Sequence, residues 1–142
     1  MMLREAEVVY SDREISGSGR IHCHKDVARI LCNQGMARKA QEHLVVLYLN
    51  ARHDCVAVET VAMGAINSVG ANPREVFRGA ILAGAVAIIM AHNHPSGDTM
   101  PSIDDFRMTE RMEKVGEVVG IPVLDHVIVV ASGQSISIME AR

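Results

Sequence analysis

Ala85-Val-Ala-Ile-Ile-Met-Ala-His92-Asn-His94-Pro-Ser-Gly-Asp-Thr-Met-Pro-Ser102-Ile-Asp-Asp105 is the stretch from which the rest of the chain can be read. Ala85 to Met90 is apolar without polar alternation, the pattern of a strand covered on both faces. Its C-terminal end delivers His92 and His94, and a strand sends residues i and i+2 to one face. Gly97-Asp98 and Pro101 then mark a loop, and Ser102 or a near neighbour caps a long helix ending around Gly120. Asp105 falls in the first turn of that helix. Two imidazoles and a carboxylate are thereby offered to one cation. Three protein ligands of N/O type leave the fourth tetrahedral position open, which separates a catalytic zinc site from a closed structural one.

Working outward, Leu44 to Leu49 is a buried strand by composition, and Asn50 to Asp54 turns it into Cys55 to Val61, giving an antiparallel hairpin. Asn72-Pro73-Arg74-Glu75 opens a helix in the expected order of N-cap, first-position proline and first-turn acid. It runs to about Leu82, and Gly84 breaks it. Met108, Met112, Val115 and Val119 form the apolar stripe of the helix after Ser102 and read as core. Val123 to Val130 and Ser135 to Ile138 make a second hairpin through Ser132-Gly133-Gln134. Upstream, Glu7-Val-Val-Tyr10 reads as a weak strand, Ser16 to Gly19 as a loop and Asp26 to Lys39 as a helix. Strands and helices interleave without a strict βαβ repeat. The expectation is an α/β chain with a mixed sheet flanked by helices in a three-layer arrangement, one domain over residues 1–142 with 1–24 its least certain part.

The 142 residues suffice for one substantial core. The net charge of −3 and the absence of any basic cluster longer than Arg38-Lys39 argue against direct nucleic-acid binding, which draws on clustered cations. Met1 to Glu7 carries acids where a signal peptide would be apolar. The longest uncharged apolar stretch, Gly79 to Ala91, falls short of the ~20 residues of a membrane helix. A cytoplasmic protein is expected. Cys23, Cys32 and Cys55 give neither a disulfide framework nor a Cys-x-x-Cys clasp, and read as small buried hydrophobes.

Ser102-x-x-Asp105 is also the pattern of a capping pair, and a carboxylate in a first helical turn is favoured by the helix dipole without any metal. The ligand reading gains from the two histidines at the strand end. A proton acceptor is needed beside such a site, because a departing amine must be protonated. Glu42, just before an apolar strand, is the best candidate, whereas Glu59 and Glu75 suit a solvated surface. His22-Cys23-His24 is a rival cluster with the same histidine spacing. The residue eleven beyond His24 is Gly35, so no matching carboxylate follows, and a local turn explains it. Asp125-His126 is either an orienting pair behind the ligands or an ordinary strand-edge couple. Arg74 needs no role beyond its helical turn.

Glu42, then His92-x-His94-Pro95, then Ser102-x-x-Asp105 resembles the JAMM motif of the MPN+ metalloproteases, and His92-Asn-His-Pro-Ser-Gly-Asp98 looks like the RadC family specifically. Gln41 to Asn50, Asn72 to Glu75 and Leu124 to Ile128 are similar to RadC segments as well, so the resemblance runs from about residue 25 to the C-terminus. It implies one zinc per chain held by His92, His94 and Asp105 with water as fourth ligand. Glu42 would be general base and then acid, and Ser102 would hydrogen-bond the oxyanion. The implied fold is the JAMM/MPN type, related to the cytidine deaminase architecture. The His-x-Glu and Pro-Cys-x-x-Cys ligands of those deaminases are missing, which disfavours base deamination. Residues 1–24 could not supply the helix-hairpin-helix region usual in full-length RadC proteins, so a shortened chain or a domain-only member is expected. Thr99-Met100 stands where a proline-containing turn is often found.

The functional expectation is a zinc hydrolase of amide or isopeptide bonds acting on a peptide, protein or small amide. Its rivals are a DNA-repair-associated binding module without catalysis and a structural metal domain. Substrate and oligomeric state are not written in the sequence.

Overall fold

The computed structural model describes residues 1–64 and 71–142. Five strands form one open mixed sheet: β1 (His43–Leu49), β2 (Cys55–Met63), β3 (Ala87–Asn93), β4 (Val123–Val129) and β5 (Ser135–Ser137). Their order is β2-β1-β3-β4-β5, with β3 at the centre. β1 is antiparallel to both β2 and β3, β3 and β4 are parallel, and β4 and β5 are antiparallel. The parallel pair requires a crossover, supplied by α3 (Ile103–Val119).

Strand alternation sorts the core into two layers. Val45, Leu47 and Leu49 of β1, with Ala87, Ile89 and Ala91 of β3, pack against Val27, Ala28 and Leu31 of α1 (His24–Asn33). Leu44, Val46 and Tyr48, with Ile88 and Met90, pack against α2 (Pro73–Leu82) and α3 through Phe77, Ala80, Met108 and Met112. β3 is buried along its whole length, as an uninterrupted apolar run between two helical layers requires. The expected α/β sandwich of helix, mixed sheet and helix is the observed architecture.

Helix boundaries follow local chemistry. The Asn72 side chain accepts from the Arg74 N–H and Pro73 takes the first position of α2. Ser102 caps α3, whose end is Gly120 in the left-handed region at φ 78°. Gly79 lets α2 approach the sheet closely: a Cβ there would overlap Tyr48 Oη and Glu59 Oε2, which are hydrogen-bonded to one another.

Several expectations need correction. The helix expected over Asp26 to Lys39 stops at Asn33, because Gly35 is left-handed (φ 73°) and a short 3-10 turn, Met36–Arg38, follows. Glu7 to Tyr10 forms no strand and is exposed, since β-branched residues make a strand when an edge accepts them. The central strand begins at Ala87, two residues later than the apolar run, and Val86 is half exposed. Ile138 belongs to a terminal helical turn, α4 (Ile138–Ala141), and not to the last strand. Val119 lies at the rim of α3 and outside the core. The cysteines are not buried hydrophobes: Cys23 and Cys32 are exposed and Cys55 is half-buried. Glu59, read as a solvated acid, is half-buried and holds Tyr48. Among the described residues no helix is long and apolar enough to cross a membrane.

Candidate metal centre

The C-terminal end of β3 and the N-terminal end of α3 meet on the α2/α3 side of the sheet. Ile88 and Met90 face that side, so alternation carries His92 and then His94 to it. Asp105 enters from the first turn of α3. The ligand atoms of His92, His94 and Asp105 lie within 4.8 Å of one another, the one group among the described residues that could hold a metal ion. His92 Nε2 is 2.9 Å from His94 Nε2 and 3.2 Å from Asp105 Oδ1, and His94 Nε2 is 3.5 Å from Asp105 Oδ2.

Each imidazole is oriented from behind. His94 Nδ1 donates to the Asp98 carbonyl at 2.7 Å, which leaves the Nε2 lone pair pointing inward. His92 Nδ1 meets His126 Nε2 at 2.7 Å, His126 Nδ1 meets Thr109 Oγ1 at 2.7 Å, and the Thr109 hydroxyl donates to the Asp105 carbonyl at 2.8 Å. With that hydroxyl proton committed, His126 donates from Nδ1 and accepts at Nε2 from His92. The second inward lone pair is therefore His92 Nε2. Burial holds the fully enclosed His126 well below the ordinary histidine range, in keeping with its neutral role in the chain.

Two nitrogen lone pairs and a carboxylate oxygen thus face one point with no proton of their own to share. That arrangement is satisfied by a cation. Ligand atoms ~2.0–2.2 Å from a tetrahedral zinc are about 3.3 Å apart, close to the spacings found, so the donor set fits the ion. The pull of this point is felt by its members. His94 is raised above the ordinary histidine value, chiefly by its contact with Asp105. Burial alone would raise Asp105, but the His92 and His94 imidazoles beside it, in their protonated forms, hydrogen-bond to its carboxylate and hold it well below the carboxylate range.

Asp105 also belongs to the helix cap. Its Oδ2 accepts from the Ser102 N–H at 2.8 Å, and Ser102 Oγ accepts from the Asp105 N–H at 3.1 Å. The capping pair and the candidate ligand read from the sequence as alternatives are one structure. Ser102 itself is exposed, and the cap uses its hydroxyl oxygen only as an acceptor.

Glu42 stands one residue before β1. The β1–β3 register pairs Leu44 with His92, and continued by two residues it sets Glu42 opposite His94. The negative charge of Glu42 helps raise His94, so the two groups lie within electrostatic reach. Holding this loop is Asn93, a residue the sequence reading did not single out. Its side chain points to the opposite face from His92 and is fully buried. Asn93 Oδ1 accepts from the His43 N–H at 2.7 Å, and Nδ2 donates to the carbonyls of Lys39 and Gln41 at 3.2 and 3.0 Å. The backbone on both sides of Glu42 is pinned by the residue between the two histidines. An amide inside an otherwise apolar strand was the available signal, since such a group is costly unless its hydrogen bonds are met.

The other expected positions separate cleanly. His126 is the orienting partner of His92, whereas Asp125 turns away, accepts from Ser137 Oγ at 2.7 Å and is raised by its burial. Thr109 was missed. His22, Cys23 and His24 do not gather: Cys23 is the N-cap of α1, and His24 Nδ1 contacts Ser135 Oγ at 2.7 Å. Arg74 contributes its backbone N–H to the Asn72 cap.

A family model described as a RadC-like JAB domain matches residues 21–142. Among curated proteins, the chain is 41% identical over 125 residues to a UPF0758 protein of Enterococcus faecalis, covering 88% of this chain and 53% of the relative. It is 42% identical over 116 residues to a UPF0758 protein of Caldanaerobacter subterraneus, covering 82% of this chain and 49% of that one. A UPF0758 protein of Staphylococcus haemolyticus is 44% identical over 117 residues, with 82% and 51% covered. The chain spans about half the length of the curated relatives it matches. A match over most of the chain, with the five-stranded sheet and the His-His-Asp corner that accompany it, means that this protein belongs to the RadC-like JAB domain family.

Proposed function

We propose that this chain is a zinc-dependent hydrolase of amide or isopeptide bonds, with His92, His94 and Asp105 as the metal ligands, Glu42 as general base and acid, and Ser102 as oxyanion donor. The observation that carries the reading is the convergence of two inward imidazole lone pairs and one carboxylate oxygen, each held by hydrogen bonds behind it. A divalent cation held there would supply Lewis-acid polarisation of a carbonyl and a lowered pKa for water. Glu42 takes the proton of the attacking water and returns it to the leaving amine, a task suited to a carboxylate opposite His94 and anchored through its own backbone. Ser102 presents an exposed hydroxyl whose oxygen is already fixed by the Asp105 N–H, so its proton can meet developing negative charge with little reorganisation. The closed chain His92–His126–Thr109–Asp105 keeps the ligands in register through the reaction. Three free thiols and no disulfide among the described residues support a reducing, cytoplasmic setting.

The test uses protein purified without chelator or affinity-resin metal. Elemental analysis should give one zinc per chain, and a mass-spectrometric screen of a mixed peptide and ε-linked isopeptide library should reveal zinc-dependent cleavage that Glu42→Gln abolishes. Cleavage that survives Glu42→Gln undiminished, or a zinc-loaded protein that cleaves nothing in the library, would overturn the assignment.

A further inference from the structure

An open groove of about 670 Å³ runs beside α1, bounded by Lys25, Arg29 and Cys32 on the helix, Gln134 on the β4–β5 turn and Thr99 on the loop after His94. Its volume is in the range of ligand-binding clefts. The charge of its lining is one-sided: Lys25 and Arg29 are cations, and no carboxylate among the described residues lines it. That asymmetry is notable on a chain of net charge −3. Lys25 is exposed and pairs with no carboxylate among the described residues. Arg29 donates to the neutral carbonyls of Ser16 and Ser18, at 2.6 and 2.7 Å. The nearby acids stay out of the lining: Asp26 accepts from the His22 and Cys23 N–H groups and feels the Arg29 charge, and Asp98 accepts from the Met100 N–H.

The groove lies on the α1 side of the sheet and touches the loop that joins β3 to α3. Thr99 in its wall follows Asp98, whose carbonyl fixes His94. We propose that this groove docks an acidic peptide segment, a Glu/Asp-rich stretch of chain. Calling that segment substrate rests on the hydrolase reading above; its binding does not. Carboxylates meet Lys25 and the remaining donors of Arg29, while Ala28 and Cys32 accept the aliphatic part of the segment. Single-stranded nucleic acid is the less suitable anion, because no Phe, Tyr or Trp lines the groove for base stacking.

The experiment is fluorescence anisotropy with the zinc-loaded full chain and three labelled probes: hexaglutamate, hexalysine and a six-nucleotide oligo-dT. Hexaglutamate should bind best, weaken with added salt and lose about tenfold in affinity in Lys25→Glu, with the exposed Gln134→Glu as an independent second variant. It should also slow alkylation of Cys32 without slowing that of Cys23, a footprint that locates the binding. Hexaglutamate binding no stronger than hexalysine, indifferent to both substitutions, or weaker than oligo-dT overturns the proposal. Glu42→Gln should bind hexaglutamate as the unaltered chain does. Binding that persists with no library cleavage counts against the hydrolase reading alone. Cleavage without groove binding counts against the groove alone.

Discussion

His92-Asn-His94 and His22-Cys-His24 present the same spacing in one chain and reach opposite ends. The first pair rides an extended strand whose period of two turns both rings to one side, where a helix brings a carboxylate. The second straddles the entry to α1, where Cys23 is extended and His24 is already helical, so the two rings leave the backbone in unrelated directions. Spacing proposes a site; the secondary structure under it decides. A second difference lies behind the rings. Both inner imidazoles have a partner on the rear nitrogen, whereas His22 is exposed and offers its backbone N–H to Asp26.

The comparison is broken most decisively by His94→Ala, which should remove zinc and any cleavage together, read by elemental analysis and by the peptide library. Glu42→Gln should keep one zinc per chain and lower turnover by about 10²–10⁴-fold, the scale of a lost proton-transfer group. Should the metal leave with it, Glu42 is a ligand and not a base. His126→Leu should weaken zinc by roughly 10–100-fold in chelator competition, because a ligand loses the partner that orients it.

Smaller effects sharpen the contrast from the other side. His22→Ala and His24→Ala should leave the zinc stoichiometry at one per chain, and a drop would show that the outer pair had been misjudged. Near that pair the thiols divide. Burial pushes Cys55 up to about 11, so it should react slowly with N-ethylmaleimide at pH 8 and accelerate toward pH 11, while exposed Cys23 reacts first. The sign for stability follows: a thiol raised from 9.0 contributes fully below pH 9 and loses its contribution as pH climbs toward 11. A chemical denaturation midpoint that falls over that interval, less so in Cys55→Ser, checks it.

What could be read in the sequence was whatever depends on near neighbours. The buried strand, the shared direction of His92 and His94, the Asn72-Pro73 start and the Ser102-x-x-Asp105 cap are all written within a few residues. What could not be read depends on register. His126 reaches His92 because β4 lies parallel to β3 with Met90 beside His126, a pairing set by the crossover through α3 and by no local pattern. Asn93 finds Lys39, Gln41 and His43 across the β1–β3 ladder for the same reason. The misses at the N-terminal side have a different origin. Periodicity carried the first helix past Gly35, whose left-handed backbone ends it, and Glu7 to Tyr10 has strand composition but pairs with no strand of the sheet.

Both oxygens of Asp105 are engaged, Oδ1 facing His92 and Oδ2 taking the Ser102 N–H while it faces His94. Asparagine carries one acceptor oxygen where both are used, and glutamate would move the pair a methylene further along. Codon 105 is therefore close to a dead end for drift: a saturation library at this position, scored by survival of the metal-loaded fold, should return aspartate and little else.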